Sequence, residues 1–284
     1  MINFEASTFF LQWAVGGGFF LWVTSQQRLV GLGYGWTNRS IYISIATISL
    51  VTGLSTGAVW VREISTLLFL ATMFFSLIVS VVRRKAGVEG QKALKDSRAK
   101  RVSEMLGRSN LRENNDNELK EYPPILDLLA PCLGLIGLVA GAIDAGGPVA
   151  LSVSRTLVGA AFLGAISNSM LLGHWYLVQP GLSREPIHEL VKWTGILWVP
   201  ELVLLCIPTG MFSVLNGTID DNYNGLLGWF WVACVVATIS LVIVTKMALR
   251  EKEYSAVMAA TGLMYLAILT GFGMDLVARI LLDA

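Results

Sequence analysis

The chain has 284 residues, of which 54% are hydrophobic and only 14% are charged, whereas soluble domains carry about a quarter charged residues. This composition excludes an ordinary soluble globular protein and indicates a polytopic protein that contacts the lipid bilayer. The formal net charge is +1, so the chain lacks the basic field of a nucleic-acid-binding protein, and we predict no nucleic-acid partner.

A membrane-crossing helix needs about 20 consecutive, mostly apolar residues. The sequence predicts an all-α bundle of about eight such helices, at residues 6–24, 41–61, 63–82, 125–144, 150–178, 188–214, 225–248 and 255–281. Helices one to three then occupy 1–82, a hydrophilic connection occupies 83–124, and helices four to eight occupy 125–284. No small-residue cleavage site follows the first segment, so we expect no removed signal peptide.

The Lys and Arg residues are distributed unevenly between the two ends of these segments. If the N-terminus lies outside, eighteen of the 21 fall on the inner side, leaving Arg62, Arg155 and Arg279 for the outer side. Inner loops of membrane proteins are enriched in Lys and Arg. The pattern therefore predicts that both termini lie outside a membrane such as the bacterial plasma membrane.

The connection at 83–124 is the longest hydrophilic stretch, and eleven basic residues fall within 83–121. We expect part of it to be helical and residues 109–121 to form a mobile linker. A basic cluster of this kind attracts anionic lipid headgroups. Docking of a membrane or cytoplasmic protein partner through residues 83–121 is the alternative.

Three patterns look like chemical motifs but lack the context that those motifs require. The GLGYG stretch at 31–35 joins two predicted membrane helices and follows no strand, which excludes a dinucleotide site. The HELVK stretch at 188–192 has a lysine where a zinc protease needs its second histidine. The cysteines at 132, 206 and 234 lack the spacing of metal ligands. We therefore predict no metal site.

Glu201 stands out because ionisable residues at membrane depth are costly and are usually functional or paired. It lies near the middle of the sixth predicted segment, directly after Pro200, so we expect this helix to be kinked or locally unwound around the carboxyl group. Burial without a partner favours the neutral, protonated form. A proton or cation site and a neutral glutamic acid bonded to a neighbouring helix both remain open.

Three more polar residues fall within predicted segments. Arg155 and Asp275 both map to the outer part of their helices, and a buried cation needs an anion, so we predict that Arg155 pairs with Asp275 or Asp144. The alternative is that Arg155 extends to the outer interface. Asn168 lies beside a stripe of small residues in the fifth segment and needs a polar partner within the bundle.

The two histidines, His174 and His188, flank a Pro-Gly turn at the inner end of the fifth and sixth segments. Two neutral imidazoles can ligate haem b, and a histidine with Tyr176 can bind and protonate a quinone. The alternative is an interfacial anchor, because aromatic residues concentrate at membrane surfaces.

Three functions remain open at this point. The first hypothesis is an electron-transfer membrane subunit that docks a partner on its cytoplasmic side and binds quinone or haem through His174, Tyr176 and His188. Eight-helix bundles include such subunits, although that analogy rests on helix count alone. The second is a proton- or cation-coupled small-solute transporter using Glu201, Asn168, Arg155 and Asp275. The third is a non-catalytic scaffold, and no pattern establishes an enzyme.

Overall fold

The computed structural model describes residues 2–106, 120–179 and 181–283, and all regular structure within these ranges is helical, which confirms the all-α prediction. A short 3-10 turn occupies Arg83–Ala86. The α-helices are α1 (Ala6–Gln26), α2 (Leu32–Thr56), α3 (Trp60–Val82), α4 (Glu89–Met105), α5 (Ile125–Asp144), α6 (Val149–Val178), α7 (Glu185–Cys206), α8 (Gly210–Leu215), α9 (Leu226–Ala248) and α10 (Tyr254–Leu281).

Six helices in the described part of the chain are long and apolar enough to cross a membrane, namely α1, α3, α5, α6, α9 and α10. Their outward faces carry exposed apolar side chains, such as Phe74, Phe75 and Ile78 on α3 and Leu269 on α10. Exposed apolar area of this extent is stable only against lipid or another apolar surface. The chain is therefore a multi-pass membrane protein that contacts the bilayer.

The bundle is organised around α1 and α6. Helix α1 packs on α2, α5 and α6, and α6 also packs on α5, α7 and α10. The two central backbones touch, since a Cβ atom on Gly164 would lie 2.2 Å from the carbonyl group of Gly16. Small residues permit this close approach in membranes. Although the long connection divides the chain three plus five, α5 packs on α1 and α3, and two hydrophobic clusters that both include residues of α1, α2 and α6 form the core.

The predicted start of the second segment, at residue 41, is wrong. Helix α2 begins at Leu32, and the sequence that resembled a polar loop forms its first two turns. Its polar residues do not interrupt the helix because they are buried with partners. Asn38 Nδ2 donates to the Tyr34 carbonyl at 2.8 Å, and Arg39 is paired with Asp127. In the same way, Arg62 and Glu63 lie buried in α3 rather than in a turn.

The predicted sixth segment, 188–214, is interrupted. Helix α7 continues through Pro200 and Glu201, ends at Cys206, and is followed after residues 207–209 by the short α8. The expectation of an unwound helix around Glu201 is wrong, because the break comes at Pro208, seven residues beyond it. Proline removes a helical donor and clashes with the preceding turn. The break leaves free carbonyl groups at the end of α7.

The hydrophilic connection contains the 3-10 turn and α4. Of the residues predicted to form a mobile linker, only 120 and 121 belong to the described ranges. Helix α4 carries basic side chains, and its contacts include Arg28 Nη1 donating to Glu89 Oε2 at 3.1 Å and Arg98 Nη2 donating to the Gly181 carbonyl at 2.6 Å. The contact of Arg98 with Gly181 places α4 at the end of the bundle where α6 ends and α7 begins.

Candidate functional site

Four buried polar residues and a mostly buried arginine meet near the end of the bundle where the two termini lie together, which we call the terminal end. The termini are adjacent there, since the Phe4 N–H donates to Asp283 Oδ1 at 2.8 Å. Four helices supply the cluster, which we call the terminal polar cluster. Its members are Gln12 on α1, Arg155 on α6, Glu201 on α7, and Asp275 and Arg279 on α10.

The cluster lies at a common depth in the bundle. Gln12, Arg155 and Asp275 are each six residues from the terminal-end boundary of their own helix, which corresponds to about 9 Å at 1.5 Å per residue. Glu201 is packed beside Asp275 and so shares this depth. The prediction that Glu201 lies near the middle of the crossing is therefore wrong. Its predicted segment merged α7 with α8 and shifted the apparent midpoint.

Asp275 is fully buried and has both oxygens engaged. Arg279 Nε donates to Oδ1 at 2.6 Å, and Gln12 Nε2 donates to Oδ2 at 3.1 Å. Arg279 lies one turn further along the same helix, and its Nη2 donates to the Arg155 backbone carbonyl at 2.9 Å. The predicted ion pair of Arg155 with Asp275 is thus wrong, because Arg279 is the cation that binds this carboxylate. Asp144, the other predicted partner, is exposed.

Arg155 is held by the broken end of α7 instead of by a carboxylate. Its Nε donates to the Leu204 carbonyl at 2.9 Å and its Nη2 donates to the Ile207 carbonyl at 2.6 Å. Carbonyl groups at a helix C-terminus lack intrahelical donors and carry partial negative charge. The side chain does not extend to the interface, as the alternative prediction had it, since Arg155 is only 7% exposed.

Glu201 is the member of the cluster whose carboxyl group accepts no hydrogen bond. The residue is 1% exposed, and neither of its oxygens accepts a hydrogen bond from a described residue. It lies within hydrogen-bonding range of the Asp275 carboxyl group and within electrostatic range of Arg155 and Arg279. A protonated Glu201 can therefore donate to Asp275, whereas an ionised Glu201 has no donor. Buried polar groups are nearly always bonded, so this carboxyl group is a candidate functional group.

A cavity of about 40 Å³ leads to the cluster from the terminal end. Its mouth is formed by residues 2–5, and its inner wall includes Gln12, Arg155 and Arg279. Gly159 on α6 makes room for this arrangement, because a Cβ atom there would lie 2.5 Å from both Gln12 Nε2 and Arg279 Nη2. Since one water occupies about 10 to 15 Å³ by this measure, the cavity has space for a few waters or a small ion.

Asn168 has the polar partners that its position required, but it lies far from Glu201. Its Nδ2 donates to the Gly17 carbonyl at 3.0 Å and to Tyr42 Oη at 2.8 Å, and Tyr34 Oη donates to its Oδ1 at 3.2 Å. It is separated from Arg155 by thirteen residues of α6, or about 20 Å. Of the four residues predicted for a transport site, the structure brings together Glu201, Arg155 and Asp275.

Two buried ion pairs were missed by sequence reasoning. Arg39 on α2 binds Asp127 on α5 through both Nε and Nη2, each at 2.8 Å. Arg62 on α3 binds Glu63 at 2.7 Å and also contacts Glu5. The predicted segments left Arg39 and Arg62 outside any helix, whereas Arg39 lies about two turns inside α2 and Arg62 lies in the first turn of α3.

The three predicted redox residues lie on α6 and α7. His174 is exposed, and its Nδ1 lies 3.0 Å from the hydroxyl group of Tyr265. Tyr176 is buried on α6 and donates to the Ser183 carbonyl, whereas His188 is exposed on α7. None of the three lines the cavity at the terminal end. A haem or quinone site at these residues stays a prediction.

Within the described ranges, no group of three His, Cys, Asp or Glu side chains is placed to hold a metal ion. Comparison of the chain with protein-family profiles, with curated proteins and with solved structures gives no match.

Proposed function

We propose that this chain is a proton-coupled transporter of small solutes and that Glu201 is the group that binds and releases the proton. The observation that carries the proposal is the buried carboxyl group of Glu201, which accepts no hydrogen bond within the described chain and lies beside Asp275, whose oxygens are bound by Gln12 and Arg279. Intramembrane carboxyl groups of this kind are characteristic of proton relays in pumps and transporters. The protonated form of Glu201 can donate to Asp275, whereas the ionised form has no donor, so the surroundings distinguish the two states.

The charges around Glu201 are arranged so that both of its protonation states are tolerated. Asp275 and Arg279 form a closed pair, and Arg155 is partly neutralised by the carbonyl groups at the end of α7. When Glu201 is ionised, the four charged side chains sum to zero. When it is protonated, the excess is a single positive charge stabilised by carbonyl dipoles. A proton can therefore leave and return without exposing an uncompensated buried carboxylate.

Access to the cluster supports a transport cycle. The cavity at the terminal end reaches Gln12, Arg155 and Arg279, while the backbone contact of Gly16 with Gly164 lies on the opposite side of the cluster. We propose that the chain crosses the membrane eight times, with α2 and α7 as additional crossings, and that the terminal end faces outward in a bacterial plasma membrane. This arrangement corresponds to a state that exchanges protons with the outside.

The electron-transfer hypothesis stays a prediction. An optical spectrum and a lipid extract of the purified protein test it directly, because haem absorbance or co-purifying quinone would support it. The transport proposal has the stronger geometric basis, since its carboxyl site is assembled from four helices whereas His174, Tyr176 and His188 face different surroundings.

Proton movement into liposomes tests the proposal. Purified protein is reconstituted with a pH-sensitive dye inside, in potassium chloride and formate with valinomycin to balance charge, and the outside is acidified. We expect wild-type protein to acidify the interior faster than protein-free liposomes, and Glu201→Gln to lose this increase, because an amide cannot carry the proton.

Glu185→Gln is the matched control, since Glu185 lies on the same helix but is exposed at its first turn. It should retain wild-type flux. A Glu201→Gln protein that reconstitutes normally and acidifies the interior at the wild-type rate would contradict the proposal. The proposed orientation is tested by reporter enzymes fused to either terminus, of which only those active outside the cell should give a signal.

A further inference from the structure

The cavity at the terminal end is lined by two arginines, Arg155 and Arg279, that have N–H groups available for a further hydrogen bond. Arg155 and Arg279 each use Nε and Nη2 for hydrogen bonds, and within the described chain neither uses Nη1. Both side chains line the cavity, and Arg155 is more than nine-tenths buried. A guanidinium group offers five N–H donors and no acceptor. The unused donors therefore favour an anion and disfavour a cation.

We propose that this cavity binds one small monovalent anion, of the size of chloride or formate, and that the anion is the solute carried together with the proton. This inference rests on the proposed function, because the proton is the one bound by Glu201. The volume of about 40 Å³ accommodates a few water-sized groups and excludes larger organic anions.

The charged groups around the cavity explain the coupling. Arg155, Arg279 and Glu5 line it, whereas Glu201 and Asp275 do not line it and lie within electrostatic range of the two arginines. Asp275 and Arg279 on α10 neutralise each other, which leaves Arg155 on α6 as a cation and Glu201 on α7 as an anion. Glu5 contacts Arg62, but Arg62 also pairs with the buried Glu63, so these three side chains together carry one negative charge. Asp283 accepts the Phe4 N–H nearby, and the Cys206 thiol near Arg155 is neutral at physiological pH.

Protonation of Glu201 therefore makes the surroundings of Arg155 more positive by one unit of charge, and a bound monovalent anion offsets that change. Each ligand stabilises the state that the other prefers, so the two affinities must be coupled reciprocally. The proton and the anion are then expected to bind together and to cross in the same direction, with no net charge moved. No covalent or redox step is required.

Calorimetric titration of the purified protein with sodium chloride and with sodium formate tests this inference. Ionic strength is held constant with gluconate, which is too large for the cavity. Repeating the titration in two buffers of different ionisation enthalpy gives the number of protons taken up. We expect about one proton per anion and a Kd that rises about tenfold per pH unit in the range where Glu201 loses its proton. Glu201→Gln should bind without proton uptake and with a Kd independent of pH.

Arg155→Lys keeps the positive charge but removes the planar fork of donors, so it should weaken binding at least about tenfold. Thr156→Leu provides a second variant, since Thr156 lines the cavity and a larger side chain there would fill it. Failure of wild-type protein to bind either anion between pH 5 and 8 overturns the inference. So does binding that both variants leave unchanged, or binding without Glu201-dependent proton uptake.

The two proposals fail in distinguishable ways. Proton flux that depends on Glu201 and persists with gluconate as the sole anion would leave proton transport standing and overturn the anion site as its solute site. Coupled binding of chloride and a proton, without any Glu201-dependent flux in liposomes, would retain the site and overturn transport.

Discussion

Breaking the Arg39–Asp127 ion pair on one side should destabilise the protein severely. The side chains are 2% and 0% exposed, and Asp127 also accepts hydrogen bonds from Ser76 at 2.9 Å and Tyr122 at 2.7 Å. Asp127→Leu leaves the Arg39 guanidinium buried without its anion. Removing one partner of a buried pair typically costs about 3 to 5 kcal/mol, and we expect a loss in that range.

The double variant Arg39→Met/Asp127→Leu should cost much less than either single variant. No buried charge is left unpaired, and replacing both partners of a buried pair by apolar residues is often close to neutral. Ser76 and Tyr122 retain a hydrogen bond to each other at 2.5 Å. We therefore expect the double variant to lie within about 2 kcal/mol of wild type, with strong coupling between the two positions.

The assay is unfolding of the purified protein by sodium dodecyl sulfate, added to mixed micelles and followed by circular dichroism, which yields the free energy of unfolding for each variant. Lys100→Gln, exposed on the hydrophilic α4, serves as a surface control and should stay within about 0.5 kcal/mol of wild type. The reasoning is refuted if Asp127→Leu behaves like this control, or if the double variant is destabilised by the full sum of the single effects.

Three further predictions concern packing and pH. Gly159→Ala should displace Gln12 and Arg279, whose nitrogens lie 2.5 Å from the new Cβ position. The variant should therefore lose a larger fraction of the proton flux in liposomes than of its thermal stability, measured as Tm. Asn168→Leu removes three interhelical hydrogen bonds, and at about 0.6 kcal/mol each in membranes it should cost about 2 kcal/mol in the same unfolding assay; an unchanged free energy of unfolding would contradict this. Burial acts to raise the pKa of Asp221, but backbone N–H groups, that of Gly225 first among them, hold it below its usual value. The ionised Asp221 therefore stabilises the folded protein at neutral pH, and this stabilisation is lost as the pH falls through the lowered pKa. The Tm of the wild-type protein should then fall in acid. Asp221→Asn should have a lower Tm at pH 7, and its Tm should depend less on pH in acid.

The apolar runs predicted most of the helices because hydrophobic length is a strong signal in membranes. The predicted bounds of the fourth and seventh segments, 125–144 and 225–248, differ from α5 and α9 by at most one residue. The predictions were wrong where polar residues are buried inside helices. Arg39 was counted as a loop cation, yet its pairing with Asp127 keeps it inside α2. Pairing across the bundle is a tertiary property that a single sequence does not display.

Only part of the candidate site could be predicted from the sequence, because pairing across the bundle is a tertiary property. Glu201 and Asp275 could be singled out because an ionisable residue within an apolar segment is rare. Their partners could not be assigned, since the cation for Asp275 proved to be Arg279 on the same helix, and Arg155 binds carbonyl groups freed by a break at Pro208. Asp275 and Arg279 are four residues apart, a spacing that allows two side chains on one helix to pair. This spacing was visible in the sequence and could have identified the pair.

The buried contacts of three arginines also change the count of basic residues exposed on each side of the membrane. Arg62, Arg155 and Arg279 are the three basic residues assigned to the outer side, and each is engaged in a buried cluster in the structure. They therefore do not act as loop charges, and the charge asymmetry between the exposed loops is greater than the sequence count indicated. This supports the proposed orientation, in which the terminal end lies outside.

The central claim is that Glu201 exchanges a proton within the membrane, and infrared difference spectroscopy of reconstituted protein tests it most directly. Spectra recorded as the pH is raised should show loss of the carbonyl stretch of a protonated, buried carboxyl group. That band should be absent from Glu201→Gln and present in the Glu185→Gln control. The same pH-dependent band in Glu201→Gln, or no such band in wild-type protein, would contradict the account.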